Sequence, residues 1–318
     1  MYLETAKGDF KTQVIPRSKQ YEEEIAQDLS IMFLSGISTR SLSMISRRLI
    51  GRKISPSEIS SANIELSDAI ENWRMRDLSE EPIKYMFIDG VNFHMRIKRE
   101  IETVPILAAI GVTEANQRLV LGLQSGDKES AGSWREFFKD LKTRGLNPQR
   151  VTLGIMDGLT GVETVFKEEF PNAKVQRCQV HVARNVLAKV PKKLKKEVAD
   201  DIRSIFYASS RKKWKDTILS AVSCLERSIN ACLTFFSFPE EEWISLRTTN
   251  IIERLNKEFK RRTKPMEIIA GETACYRLLA FISLRMELHW RSNPIGKVVR
   301  NNLPFLKELA YEKFTQKS

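Results

Sequence analysis

The sequence predicts an α/β protein: a mixed sheet with helices on its faces, broken by a helical insertion and preceded by an all-helical region. Three observations carry this. The hydrophobic period changes from helical to strand-like at residue 83. Beyond that point apolar runs and amphipathic helices follow in the order β-β-β-α-β-α-β-α. Residues 181–245 then read as helical, where a sheet of this kind needs only a short connection.

Taken in order, residues 1–80 contain no convincing strand. "YEEEIAQDLSIMFLSG" stops at Gly36, "STRSLSMISRRLIG" opens on a Ser38/Thr39 cap and stops at Gly51, and "SPSEISSANIELSDAIENWR" opens on Ser55-Pro56. Arg40, Arg47, Arg48, Arg52 and Lys53 sit near the turns, so the segment reads either as helix-turn-helix-like or as a plain helical bundle. "IKYMFID" is a strand-like run ending on Asp89, followed by "TVPILAAIGVT" and "RLVLGLQSG". "ESAGSWREFFKDLKTRG" is a capped helix with Trp134, Phe137, Phe138 and Leu141 on one face. "RVTLGIMDG" is a buried strand ending on Asp157, "TGVETVFKEEF" a helix, "AKVQRC" a short strand, and a long helical stretch runs on from 179. This is the order of the ribonuclease-H-like fold.

The composition, 42% hydrophobic and 29% charged, is that of a soluble globular chain. A net charge of +12 favours a polyanionic partner. No apolar run approaches the roughly 18 residues that cross a bilayer, so no membrane role is expected. The start, "MYLETAKGDFK", lacks an apolar signal core, and an intracellular setting is expected. Four cysteines without a regular framework suggest reduced thiols.

The stretch "RTTNIIERLNKEFKRRTK" sharpens the partner class. At 100° per residue, Ile251, Ile252, Leu255 and Phe259 share one side, and Glu253, Lys257, Lys260 and Lys264 the other, with Asn250 and Asn256 on its flank. A solvated face with ordinary i,i+4 pairs such as Glu253 with Lys257 is the plain reading. The acids elsewhere favour another. Asp89 and Asp157 each end an apolar run and precede a glycine, and ligand sites in open α/β sheets form outside strand ends. Two carboxylates on neighbouring strands repel each other unless a cation neutralises them. Hard Mg²⁺, with Mn²⁺ as its substitute, suits such oxygen ligands. Glu253 on a helix across the sheet would be the third acid, and a pair of metals would serve an in-line phosphoryl displacement. Arg254, Lys257, Lys260, Arg261, Arg262 and Lys264 would then hold a phosphate backbone.

"FIDG", "IMDG" with "LTGVETVFKEEFP", "QRCQVHVARN" and "RTTNIIERLNKEFKRRT" together resemble the Mutator-type transposases of prokaryotic insertion sequences, with further matches in "VIPRS", "LSGISTRSLSMI", "GVTEANQRLVLGL" and "ESAGSWREFFKDLKTRGL". The resemblance implies a DDE triad at Asp89, Asp157 and Glu253. It also implies a Cys-x-x-His motif at Cys178 and His181, and a helical insertion before the glutamate. The implied activity is Mg²⁺-dependent strand cleavage at element ends, then joining of the 3′-hydroxyl to target DNA, by a dimer in the prokaryotic cytoplasm, associated with the nucleoid. On this reading residues 1–80 bind DNA, 81–180 begin the catalytic core, 181–245 are the insertion and 246–318 carry the glutamate. The chain departs from the family at three points: members carry several dozen more residues before its start, the usual Trp before Gln-Arg-Cys is Val175, and "EIIAGET" replaces a Phe-Pro segment. If those additional residues help to recognise element ends, a shortened or remnant copy is expected.

Cys178 and His181 have no second pair at zinc spacing among Cys224, Cys232, Cys275, His94 and His289, so no zinc is expected, and a local structural role beside the acids is. Trp214, Trp243 and Trp290 read as packing residues rather than base-stacking platforms, and "VPKKLKK" as a DNA-contacting patch. Two rival functions share these features: a non-catalytic DNA-binding descendant, and a ribonuclease-H-like nuclease that cuts without joining.

Overall fold

The computed structural model describes residues 67–158, 160–206 and 230–296. The helix-turn-helix-like region, Trp214 and Cys224 lie outside the described residues. The chain divides into two compact units after Asn72, and the description below concerns the second.

Five strands form one sheet in the order β3-β2-β1-β4-β5. β1 (Ile83–Ile97), β2 (Glu100–Thr113) and β3 (Arg118–Ser125) make an antiparallel meander. β4 (Leu153–Met156) and β5 (Lys174–Arg177) add in parallel. Between β3 and β4 runs α1 (Ala131–Thr143), and between β4 and β5 runs α2 (Thr160–Glu169). After β5 come α3 (Gln179–Lys189), α4 (Lys195–Phe206), the single turn α5 (Trp243–Leu246), α6 (Asn250–Thr263) and α7 (Glu272–Trp290). The architecture is mixed α/β, as the period change at 83 predicts.

β1 corrects one expectation. It does not end on Asp89 but runs on to Ile97, leaving Asp89 in mid-strand and paired with Ala108. The reason is visible in "VNFHMR": Val91, Phe93 and Met95 are buried while Asn92, His94 and Arg96 are exposed, the period of two that a strand with one covered face requires. Gly90 is no terminator. A Cβ there would lie 2.5 Å from the Lys128 Cβ, so glycine is needed for close approach within the strand. β4 likewise stops at Met156, one residue short of Asp157.

The alternation along β1 sorts the core into two layers. Met86 and Ile88 pack with Leu107, Leu121 and the α1–α2 residues Trp134, Phe137, Phe138, Leu141 and Phe166. The α1 residues are those its helical spacing predicts, and Ser130 caps it by accepting from the Ser133 N–H. On the opposite face Tyr85, Phe87, Val91 and Phe93 pack with Ile252, Leu255 and Phe259 of α6, with Leu278, Leu279 and Trp290 of α7, and with Val182 of α3. Trp290 is buried there, and Trp243 meets Phe235 and Phe236 edge-on.

Residues 230–242 are tied to the sheet by buried polar groups. Gln176 on β5 donates to the Cys232 carbonyl at 2.7 Å and accepts from the Phe235 N–H at 2.8 Å. Glu242, 3% exposed, accepts from Lys84 Nζ and the Tyr85 hydroxyl, each at 2.6 Å. The "EIIAGET" segment docks on the far end of β1, where Ile269 bridges Met95 in parallel. Cys178, Cys232 and Cys275 are free and buried. Among the described residues no helix is long and apolar enough to cross a membrane.

Candidate active site at the end of β4

Parallel register brings the first two acids together. Tyr85 pairs with Leu153 and Phe87 with Ile155, and Asp89 and Asp157 each lie two residues beyond that last pair, near enough for the charge of Asp157 to act on Asp89. Asp89 alternates with Phe87 and Val91 and therefore belongs to the face that α6 covers. Asp157 occupies the turn where β4 stops. Gly158 after it has φ +92, a left-handed conformation that glycine adopts freely. Arg177 from β5 braces this turn: its guanidinium binds Glu163 of α2 at 2.5 and 2.8 Å.

α6 brings the third acid. Ile252, Leu255 and Phe259 seat it on the sheet, with Phe259 and Phe93 in edge contact at 6.4 Å. Glu253 lies on the shoulder of the helix rather than at the centre of its exposed face. Its expected partner Lys257 is not used; Glu253 Oε1 instead lies 3.9 Å from His181 Nδ1 and accepts from the Thr249 hydroxyl at 2.8 Å. Asn256, expected on the flank of the polar stripe, is buried because its Nδ2 donates to Asp89 Oδ2 at 2.7 Å. The other Asp89 oxygen accepts from the Gly90 N–H at 2.8 Å.

Burial, reinforced by the charges of Asp157 and Glu253, pushes the Asp89 carboxyl up to about 6. The opposing contributions of the Gly90 N–H and His181 do not cancel it. With His181 opposing them, the three acids meet electrostatically at Asp89. All are hard oxygen donors, the set that Mg²⁺ or Mn²⁺ takes, and a dication would relieve the repulsion that lifts Asp89. By donor type the three carboxylates fit such ions, while among the described residues the donor atoms that already lie within 4.8 Å of one another join Glu253 to Cys178 and His181 and not to the two aspartates.

Cys178 and His181 sit beside the acids at the start of α3. The hydrogen bond with Cys178 raises the His181 imidazole above its usual value despite burial. Burial pushes the Cys178 thiol up, but His181 and the Thr249 hydroxyl and N–H together outweigh it and hold the thiol low. Cys178, His181 and Glu253 offer donor atoms within 4.8 Å of one another. The Thr249 hydroxyl accounts for that spacing, since it lies 2.8 Å from Glu253 Oε1, 3.2 Å from Cys178 Sγ and 3.4 Å from His181 Nδ1.

Of the expected backbone-binding residues, Asn250, Arg254, Lys257, Lys260, Arg261 and Lys264 are exposed and Arg262 half-buried. Arg261 is engaged with Glu258 through two hydrogen bonds, at 3.1 and 2.7 Å. Neither Thr249 nor Asn256 is among the site residues expected from the sequence. Their i, i+4, i+7 spacing with Glu253 is the signal that would have placed them there. A wider groove of about 590 Å³, lined by Arg96, Lys98, Glu102, Asp127 and Glu272, lies at the tip of the β1–β2 ribbon and holds none of the three acids.

Residues 4–293 match the family model described as "Transposase, Mutator family". The transposase for insertion sequence element ISRM5 of Rhizobium meliloti is 30% identical over 294 residues, 89% of this chain and 73% of that protein. The transposase for element IS406 of Burkholderia multivorans is 31% identical over 93% of this chain and 78% of its own length. The transposase for element IS256 of Staphylococcus aureus is 29% identical, covering 90% and 76%.

Proposed function

Because the chain belongs to the Mutator family of transposases, we propose that it is a DNA transposase which cuts at the ends of an insertion sequence and joins the freed 3′-hydroxyl to target DNA. The observation that carries this reading is the convergence of three acids on Asp89: Asp89 and Asp157 each lie two residues beyond the Phe87–Ile155 pair, and the charges of Asp157 and Glu253 add to the burial that pushes Asp89 up to about 6. The strand order and the meander followed by two parallel strands support assignment of the core to the ribonuclease-H-like class.

Asp89, Asp157 and Glu253 would hold two Mg²⁺ ions, which when bound activate the attacking oxygen and stabilise the leaving one. The chain's own part is positioning and charge. Water first breaks a phosphodiester at the element end, leaving a 3′-hydroxyl. That hydroxyl then attacks a target phosphodiester and displaces a target 3′-oxygen, which leaves as a hydroxyl. The exposed cations of α6 hold the DNA backbone, and Asn250 joins them from the N-terminal end of the helix. Residues 1–80 recognise element ends, and two copies act together on paired ends. Cys178 and His181 are not counted as metal ligands; metal analysis finding about one zinc per chain would overturn that.

The test is strand joining by purified protein in Mg²⁺ or Mn²⁺, with a labelled duplex of the DNA flanking the gene and a target plasmid, wild type beside Glu253→Gln. Joined product that needs both metal and Glu253 is expected. Cutting without joining would make the protein a nuclease. DNA binding without metal and without chemistry would make it a non-catalytic descendant.

A further inference from the structure

Two polar side chains on α6 are used in ways that helix stability does not explain. Thr249 is the N-cap residue, and a threonine there ordinarily accepts from a first-turn N–H. Its side chain makes no such bond. The hydroxyl, on a residue only 1% exposed, donates instead to Glu253 Oε1 at 2.8 Å. A hydroxyl has one proton, for which Glu253 Oε1 is the nearest acceptor, with Cys178 Sγ a second at 3.2 Å and His181 Nδ1 at 3.4 Å. Asn256 is 8% exposed. Its Nδ2 binds Asp89, yet its Oδ1 is buried without a hydrogen-bond partner. An orphaned acceptor destabilises a fold, and an apolar residue of similar size would avoid it.

Thr249, Glu253 and Asn256 fall at i, i+4 and i+7, within 60° of one another around the helix. Both donors are neutral. An arginine or lysine in either place would orient its carboxylate but also cancel its charge, and so compete with a dication. A hydroxyl and an amide fix direction and leave the charge in full.

We propose that Thr249 and Asn256 are positioning residues that set Glu253 and Asp89 in metal-binding geometry before metal and DNA arrive. This rests on the reading above, in which those acids bind the catalytic ions. Glu253 gains most, because a free glutamate samples many rotamers that a ligand must give up.

The experiment measures Mn²⁺ binding to the DNA-free protein by the loss of the free-ion electron paramagnetic resonance signal, and strand joining as a function of Mn²⁺. Thr249→Val and Asn256→Ala should each weaken Mn²⁺ binding by on the order of tenfold. The metal concentration for half-maximal joining should rise in step, with the rate at saturating Mn²⁺ held within about threefold of wild type. Thr249→Ser should restore wild-type binding. Asn256→Ala carries the test independently should Thr249→Val fail to fold, with circular dichroism as the check. Variants that bind Mn²⁺ as wild type does would overturn the proposal, whatever their joining rate. Wild type that binds no Mn²⁺ would overturn it as well. Wild type that binds Mn²⁺ but never joins strands, with both variants weakened, would refute the transposase chemistry and leave the positioning roles standing.

Discussion

Asp89→Asn should make the metal-free protein more stable while abolishing its chemistry. Burial first, then the charges of Asp157 and Glu253, lifts this carboxyl from 3.8 to about 6. The folded protein therefore holds the Asp89 proton more tightly than the unfolded chain does. The resulting stabilisation is fully present below the unfolded value and is lost as pH rises from about 4 to about 6, beyond which the ionised group is a standing penalty. A shift of about two units corresponds to about 3 kcal/mol at pH 8 and about half of that at pH 5. Asparagine keeps the acceptor for the Gly90 N–H and can meet the Asn256 amide once that group turns over. Urea unfolding should show the variant ahead by about 3 kcal/mol at pH 8 and by about half as much at pH 5. Saturating Mg²⁺ should close the gap by stabilising only wild type. A variant no more stable at pH 8 than at pH 5, relative to wild type, would refute the claim that burial and the neighbouring acids penalise the ionised Asp89 carboxyl.

Two further outcomes follow from the packing and the charge of α6. Phe259→Ala removes a fully buried ring that meets Phe93 and Leu255, and thermal unfolding should show a loss of about 3–5 kcal/mol; a loss under 1 kcal/mol would mean that α6 is not seated as described. Lys260→Ala should weaken DNA binding across sequences and lower the salt slope by about one, measured by fluorescence anisotropy. Arg261→Ala should do so less, since its guanidinium is already held by Glu258, and an equal or larger effect would show that this pair opens on DNA.

Helices with a strong apolar stripe were legible from the sequence. Trp134, Phe137, Phe138 and Leu141 recur at helical spacing, and that spacing alone selects the face α1 buries. The place of Asp157 was legible too, because the apolar run before it is the strand β4. What local pattern could not show is that β1 passes through Asp89. The continuation depends on pairing with β2, and Gly90 looks like a stop until Lys128 is known to lie against it. Asn256 was misplaced for a similar reason: its own polarity says surface, while a distant aspartate draws it inward. Glu242 is the extreme case. "EEEW" reads as a solvated charge run, yet Lys84 and Tyr85 hold its third carboxylate in the interior.

α6 carries both a buried-edge acid and a row of exposed cations on one uninterrupted rod. From Glu253 to Lys260 the helix rises about 10 Å, close to the length of three base-pair steps. If the backbone is gripped by the cations and cut at the acid, the helix is a ruler. The interval between grip and cut is then written in residue number, and adding or deleting a turn of helix would move the break along the DNA by a step or two rather than abolish it.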